Sequence, residues 1–176
     1  SGEIGGIIPT PEWKKDKFNG DIWRLGDTYI TAIGQYGTQI TPINAVRFIA
    51  AVANGGKLLT PSLLLGGNAE PVERVIEFND EDWKVVRDGM RDGVKYGTSV
   101  GLNVPYVDVA AKTGTAELGS LNLYVNSWSV GFFPFDHPKY AWAVVMEKGP
   151  SKNNIGATSI VRQALDWMAV NAPEYF

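Results

Sequence analysis

Apolar residues recur at helical spacing in three stretches of this 176-residue chain. Thr41-Pro42 fits an N-cap and a first helical position, and Gly55-Gly56 fits the stop of the same helix. A second helix is predicted after Asn79, where three acidic residues favour a helix N-terminus, and a third over residues 154–170. The predicted buried stripes are Ile43, Val46, Ile49, Ala50 and Ala53; then Trp83, Val86, Met90 and Val94; then Ile160, Ala164, Trp167 and Met168.

Runs of strand-forming residues separate these helices. The sequence predicts extended pieces over 57–65 and 72–78, on either side of a Gly66-Gly67-Asn68 turn. Three further strands are predicted over 107–117, 124–133 and 140–147, the last two forming a hairpin whose long turn holds His137. Helices packed on an antiparallel sheet, an α/β fold of the α+β type, follow from this order.

Residues 1–40 show little periodicity, so loops and short turns are expected there. An irregular stretch of this length is unusual at the start of a domain, which suggests that it packs against something upstream. Its carboxylates Glu12, Asp21 and Asp27 have no evident catalytic partner, and we interpret them as solvated or capping residues.

Composition and charge exclude several function classes. A net charge of −3 with no clustered basic face argues against nucleic-acid binding. The chain has no cysteine and one histidine, so we predict no disulfide, no metal site and no cofactor. No apolar run approaches the roughly 20 residues that span a bilayer, so any membrane anchor is expected to lie outside the chain.

The candidate chemistry lies in Lys112-Thr113-Gly114-Thr115, at the end of the predicted 107–117 strand. Alternation along a strand places Lys112 and Gly114 on one face and Thr113 and Thr115 on the other. Such an edge strand can pair with an extended peptide while Lys112 and the hydroxyls hold an anionic end. The Thr115 N–H can also face a developing oxyanion. On its own, the tripeptide Lys-Thr-Gly also fits an ordinary strand-to-turn transition.

The run from Lys112 to Glu117 resembles the third active-site motif of penicillin-binding proteins and serine β-lactamases. Upstream stretches agree in order and look like class B penicillin-binding proteins, in particular the elongation type, penicillin-binding protein 2. They are Gly2-Glu3 to Gly5, Pro9, Pro11-Glu12-Trp13-Lys14, Gly26-Asp27-Thr28, Ile33-Gly34-Gln35 and Thr41-Pro42. Asn126-Ser127-Trp128 resembles the family's strand beside the K-T-G strand.

The resemblance implies roles for four residues. Lys112 supplies positive potential to the substrate carboxylate and to the serine of the second motif. Thr113 and Thr115 bind that carboxylate, and Gly114 permits its close approach. The Thr115 N–H is one oxyanion donor. The implied partners are peptidoglycan stem peptides and β-lactam antibiotics, and the implied location is the periplasmic face of the inner membrane of a bacterium.

Two family motifs are missing from their expected places. No serine has a lysine three residues later, and Ser159 with Arg162 is the nearest approach to S-x-x-K. Matches to S-x-N at Ser120-Leu121-Asn122 and Ser151-Lys152-Asn153 follow Lys112 instead of preceding it, and we interpret both as chance matches in loops. Residues 1–176 are therefore expected to form the C-terminal portion of one transpeptidase domain, incomplete on its N-terminal side and inactive alone.

Two alternatives stay open at this point. One is a β-lactamase-like hydrolase of the same fold, although the regions around residues 2–9 and 26–41 look like class B transpeptidases. The other is a catalytically inert binding or structural fragment. A Walker-type phosphate loop is rejected, because Ala111 stands where that loop needs glycine.

Overall fold

The computed structural model describes residues 5–63, 72–119, 121, 123–152 and 155–176. Contacts between Cα atoms divide the chain into two compact units, Ser1–Asn44 and Ala45–Phe176. The predicted turn at Gly66-Gly67-Asn68 lies outside the described residues. None of the helices within the described ranges is long and apolar enough to cross a membrane.

The first unit contains two short helices, α1 (Pro11–Lys17) and α2 (Leu25–Ala32), so the prediction that residues 1–40 hold only loops and turns is wrong for these segments. Helix α1 begins at a capping threonine, because the Thr10 hydroxyl accepts a hydrogen bond from the Trp13 N–H at 3.1 Å. Neither helix is long enough to show an apolar stripe that repeats over several turns. Periodicity therefore could not reveal them.

Ion pairs around one buried lysine hold the first unit together. Lys14 is 3% exposed and donates to Asp27 at 2.7 Å, and its ammonium also lies 3.2 Å from Asp21. Asp27 accepts the Arg24 backbone N–H at 2.6 Å and so caps α2, as expected for these carboxylates. Hydrogen bonds from Lys14 and from the Arg24 backbone lower the pKa of Asp27. Both carboxylates are structural partners of Lys14.

Helix α3 (Pro42–Ala53) runs from the end of the first unit into the second, and the second unit holds the remaining elements. These are β1 (Lys57–Leu59), β2 (Val72–Val75), α4 (Asp80–Lys95), a 3₁₀ turn (Val100–Leu102), β3 (Ala110–Leu118), β4 (Tyr124–Phe133), β5 (Tyr140–Pro150), α5 (Ala157–Asn171) and a final 3₁₀ turn (Pro173–Tyr175). Strands β1 and β2 pair antiparallel. All three predicted helices and the predicted hairpin are confirmed.

An antiparallel sheet in the order β3-β4-β5 forms the centre of the second unit. Helix α4 packs against β3, and α5 packs against β4 and β5. Adjacent strand residues enter different core clusters: Phe132 packs with residues of α3 and α4, and Phe133 packs with residues of α5. The sheet therefore has a hydrophobic core on each face, which confirms the predicted helix-flanked antiparallel sheet.

The predicted buried stripe of α4 is confirmed at Trp83, Met90 and Val94, whereas α5 buries a different face from the one predicted. Val86 of α4 is 47% exposed, and Ile160 and Trp167 of α5 are 42% and 62% exposed. Helix α5 instead buries Val161 and Leu165, a face rotated by one residue, or about 100°. In α3 the predictions for Ile49 and Ala53 are confirmed, but Ile43 is 37% exposed, and the helix also buries Ala45, Ala51 and Val52.

We predict that Gly131→Ala in β4 destabilises the protein by about 1–3 kcal/mol through overpacking. A Cβ at this position would lie 2.3 Å from the Trp142 ring and 2.4 Å from the Ala110 carbonyl oxygen. The matched control is Gly149→Ala in β5, where the nearest atom would be the Val125 carbonyl oxygen at 3.9 Å. Urea denaturation should separate the two variants, and equal midpoints would contradict the packing described for Gly131.

Candidate active site

Strand β3 presents the predicted site residues at an edge of the three-stranded sheet. It pairs with β4 in unbroken register, from Ala110 opposite Phe132 to Leu118 opposite Tyr124. Among the described strands none pairs with its other side, so this side of β3 is an edge of the sheet. The unbroken register keeps the predicted alternation, with Lys112 on one face and Thr113 on the other.

Lys112 carries an exposed positive charge at this edge. Its Nζ donates to the carbonyl oxygen of Thr113 at 2.6 Å. In the part of the chain that the structure describes, Lys112 forms no ion pair with a carboxylate. Its charge is therefore available to attract an anionic group.

The next two residues, Thr113 and Gly114, have different contacts with the rest of the protein. The Thr113 hydroxyl lies 2.7 Å from the Thr98 hydroxyl, which belongs to the turn that follows α4. A Cβ added to Gly114 would lie 3.4 Å from the Cβ of Trp128, an ordinary van der Waals distance. Packing among the described residues thus leaves room for a larger residue at Gly114.

Helix α4 fixes the start of β3 through a buried arginine. Arg91 is 8% exposed, donates to the Val109 carbonyl oxygen at 3.0 Å and forms an ion pair with Asp108. Ala110 and Ala111, which follow, are fully buried. The backbone directly before Lys112 is therefore held rigidly between the helix and the sheet.

Strand β4 connects the site to the beginning of α5. Ser127 lies opposite Thr115, and its hydroxyl accepts the Ala157 N–H at 3.0 Å, so it caps α5 from a neighbouring strand. A cavity of about 260 Å³ opens beside these residues. Its lining is Thr115, Val125, Ser127, Met146, Gly149, Pro150, Ser151, Ile155 and Gly156.

A polar network ties α5 to the segment that leads into β3. Tyr106 donates to Asp166 at 2.6 Å, and Arg162 donates to both oxygens of Asp166 and to the Gly101 carbonyl oxygen. Burial, together with the hydrogen bond to Asp166, raises the pKa of Tyr106 to about 12. Hydrogen bonds from Tyr106 and Arg162 lower the pKa of Asp166.

The structure places the four predicted site residues together in one strand, and it adds Thr98 and Ser127 to their surroundings. No pattern in the sequence singles out Thr98, which follows the end of α4. The predicted neighbour strand, Asn126-Ser127-Trp128, does pair with the site strand, with Trp128 opposite Gly114. Of the S-x-N matches, Ser120, Asn122 and Asn153 lie outside the described residues.

A helix-flanked antiparallel sheet with Lys-Thr-Gly-Thr on its edge strand is typical of the serine enzymes that react with penicillin. The sequence comparison makes the assignment specific. The model of the penicillin binding protein transpeptidase domain matches residues 1–166, and the chain belongs to this family. Its relatives and structural neighbours place it with class B proteins of the penicillin-binding protein 2 type.

Two of the sequence relatives are named peptidoglycan D,D-transpeptidases. The chain is 30% identical to MrdA of Acinetobacter baumannii over 94% of its own length and 27% of the relative. It is 28% identical to MrdA of Haemophilus influenzae, again over 94% of the chain and 29% of that protein. The chain thus spans less than a third of these curated relatives.

The structural neighbours agree. Penicillin-binding protein 2 of Helicobacter pylori, solved in complex with MreC, has a TM-score of 0.78 at 29% identity, over 96% of this chain and 32% of that one. Penicillin-binding protein 2 of Pseudomonas aeruginosa, in complex with WCK 5153, has a TM-score of 0.74 at 27% identity, over 98% and 40%. These likenesses confirm the predicted fold.

The Tyr106 network predicts a loss of stability at alkaline pH. Because the folded-state pKa is raised from 10.0 to about 12, neutral Tyr106 stabilises the fold below pH 10, and this contribution is lost as the pH rises towards 12.

Tyr106→Phe should remove this part of the pH dependence, whereas Tyr96→Phe, at an 84% exposed position, should keep it. Urea midpoints measured from pH 9 to pH 12 give the comparison. Parallel curves for wild type and Tyr106→Phe would contradict the assignment.

Proposed function

We propose that this chain forms the K-T-G wall of a peptidoglycan D,D-transpeptidase that cross-links stem peptides through a serine acyl-enzyme and is acylated by β-lactams. The observation that supports it most directly is the Lys112 ammonium, exposed and without a carboxylate partner among the described residues, next to two threonines on an open strand edge. A cation, hydroxyls and the edge strand of a sheet together suit a peptide that ends in a carboxylate.

In the proposed reaction the substrate peptide lies along the open edge of β3. Lys112 attracts its terminal carboxylate, and the Thr113 and Thr115 hydroxyls donate hydrogen bonds to it. A serine hydroxyl attacks the scissile carbonyl, the terminal residue leaves as an amine, and an amine of a second stem peptide then displaces the serine from the ester. The serine proton is transferred to the departing amine through a general base.

Thr115 has a second role in this proposal, through its backbone. The carbonyl oxygen becomes negatively charged during the attack, and the Thr115 N–H is one donor to it. The second donor is the N–H of the nucleophilic serine itself. Gly114 supports the arrangement, because neither a positive φ nor packing in the described residues requires glycine there. Its missing side chain leaves space for the substrate backbone.

The nucleophile and the second motif are proposed to come from sequence outside these 176 residues. No S-x-x-K is present in the chain, and both S-x-N matches follow Lys112. We further propose that the whole protein works on the extracytoplasmic side of the bacterial inner membrane, held there by a segment outside this chain. These proposals describe one transpeptidase domain, of which residues 1–176 are a part.

Lys112→Ala in the whole protein should lower the rate of acylation by penicillin about 10- to 150-fold, the range for losing a hydrogen bond to a charged group. Lys139→Ala, at an exposed lysine in the turn between β4 and β5, is the matched control and should react like wild type. The measurement is the pseudo-first-order rate of labelling by a fluorescent penicillin. An unchanged rate for Lys112→Ala would remove the role proposed for this lysine.

The 176-residue chain alone should gain no mass from penicillin, while the whole protein should gain the mass of one penicillin molecule. Intact mass spectrometry before and after incubation tests both expectations. A covalent adduct on the isolated chain would place a nucleophile within residues 1–176. Rapid release of the penicillin from the whole protein as hydrolysed product would instead favour the β-lactamase-like alternative.

A further inference from the structure

Thr98 contacts the site strand from outside the Lys-Thr-Gly motif. Its hydroxyl lies 2.7 Å from the hydroxyl of Thr113, across 15 residues of sequence, and either oxygen can be the donor. Thr98 is exposed, whereas Thr113 is half-buried. The contact therefore lies at the surface, on the face of β3 to which the two threonines of the motif point.

Close packing holds the turn that carries Thr98 in place. A Cβ on Gly97 would lie 2.9 Å from the Gly93 Cα, and a Cβ on Gly93 would lie 3.1 Å from the Ala111 carbonyl oxygen. Gly93 lets α4 approach the backbone just before Lys112, and Gly97 lets the turn pack closely against the end of the helix. The next residue, Ser99, is 1% exposed, and its N–H donates to the Gly93 carbonyl oxygen at 3.0 Å.

Helix α5 fixes the same turn from its other end. Arg162 donates to the Gly101 carbonyl oxygen at 3.0 Å, and Asp166 in turn accepts both Arg162 and Tyr106. The position of Thr98 relative to β3 is thus set by two helices. Its hydroxyl is pre-organised before any ligand arrives.

We propose that Thr98 is a positioning residue that orients the Thr113 hydroxyl towards the carboxylate of the substrate. This inference rests on the proposed transpeptidase function. A carboxylate only accepts hydrogen bonds, and a threonine hydroxyl has one proton to donate and two lone pairs that accept. When Thr113 donates its proton to the carboxylate, Thr98 donates to Thr113. A chain of two hydrogen bonds results, and each bond polarises the other.

The same chain favours a charged peptide terminus over a neutral one. The Thr98 proton has no role in the catalytic transfer of a proton, and Thr98 does not touch the reacting atoms. Its effect is on binding, so the loss of its hydroxyl weakens the affinity of the non-covalent complex and leaves the limiting acylation rate nearly unchanged.

The test uses the whole protein and four single variants. Thr98→Val keeps the branched shape and removes the hydroxyl, and Thr98→Ser restores it. Thr113→Val removes the partner, and Thr60→Val is a matched control at an exposed threonine after β1. The rate of acylation by benzylpenicillin is measured against its concentration, which separates the dissociation constant of the non-covalent complex from the limiting rate.

We expect Thr98→Val to raise that dissociation constant about three- to tenfold, the size of one neutral hydrogen bond. Thr98→Ser and Thr60→Val should stay within about twofold of wild type, since a surface substitution without a lost contact has little effect. In the Thr113→Val background, Thr98→Val should add no further loss, because the contact is already gone.

Three other outcomes would overturn the inference. An unchanged dissociation constant for Thr98→Val in a wild-type protein that is acylated overturns this inference and leaves the proposed function standing. A loss that persists fully in the Thr113→Val background also overturns it, since Thr98 then acts through another route. A wild-type protein that penicillin does not acylate overturns the proposed function together with this inference.

Discussion

The close approach of helix α4 to strand β3 is the constraint on which the site depends. At Gly93 the helix backbone lies against the Ala111 carbonyl oxygen, and one turn later Gly97 lies against Gly93. Glycine inside a helix costs about 1 kcal/mol relative to alanine, so Gly93 weakens α4 locally. The approach allows Arg91 to reach the Val109 carbonyl oxygen and Asp108. The buried half of β3 is thereby fixed, and its exposed half begins at Lys112.

Much of this fold follows from sequence patterns, because the responsible interactions are local. The hairpin of β4 and β5 is visible from strand-forming runs and a proline-containing turn, and the caps and glycine stops mark α3. The face that α5 buries was predicted wrongly, since it depends on tertiary contacts. Arg162 and Asp166 anchor α5 to Gly101 and Tyr106, and this turns Val161 inward and leaves Trp167 exposed. A prediction based on the spacing of apolar residues does not take such polar contacts into account.

Interactions that hydrophobic periodicity does not detect also determine the structure of the first unit and the surroundings of the site. Helices α1 and α2 are held by Lys14 and its carboxylates, a buried ion cluster that hydrophobic periodicity does not detect. The motif residues 112–115 are contiguous and could be found by eye, together with the faces to which they point. The contact of Thr98 with Thr113 and the cap that Ser127 forms on α5 could not be found in this way, because they span 15 and 30 residues and depend on how helices and strands pack.

The alternation of β3 explains why this site needs a strand edge. Lys112 and Thr113 point to opposite faces of the sheet, so a ligand lying on either face would meet only one of them. A ligand lying beside the edge, in the plane of the sheet, is within reach of side chains from both faces and of the backbone groups between them. Gly114 leaves this line of approach free of a side chain. Alternation along β3 places the Lys112 ammonium and the Thr113 hydroxyl on opposite faces of the sheet. An extended peptide at the edge of the strand can therefore contact both groups.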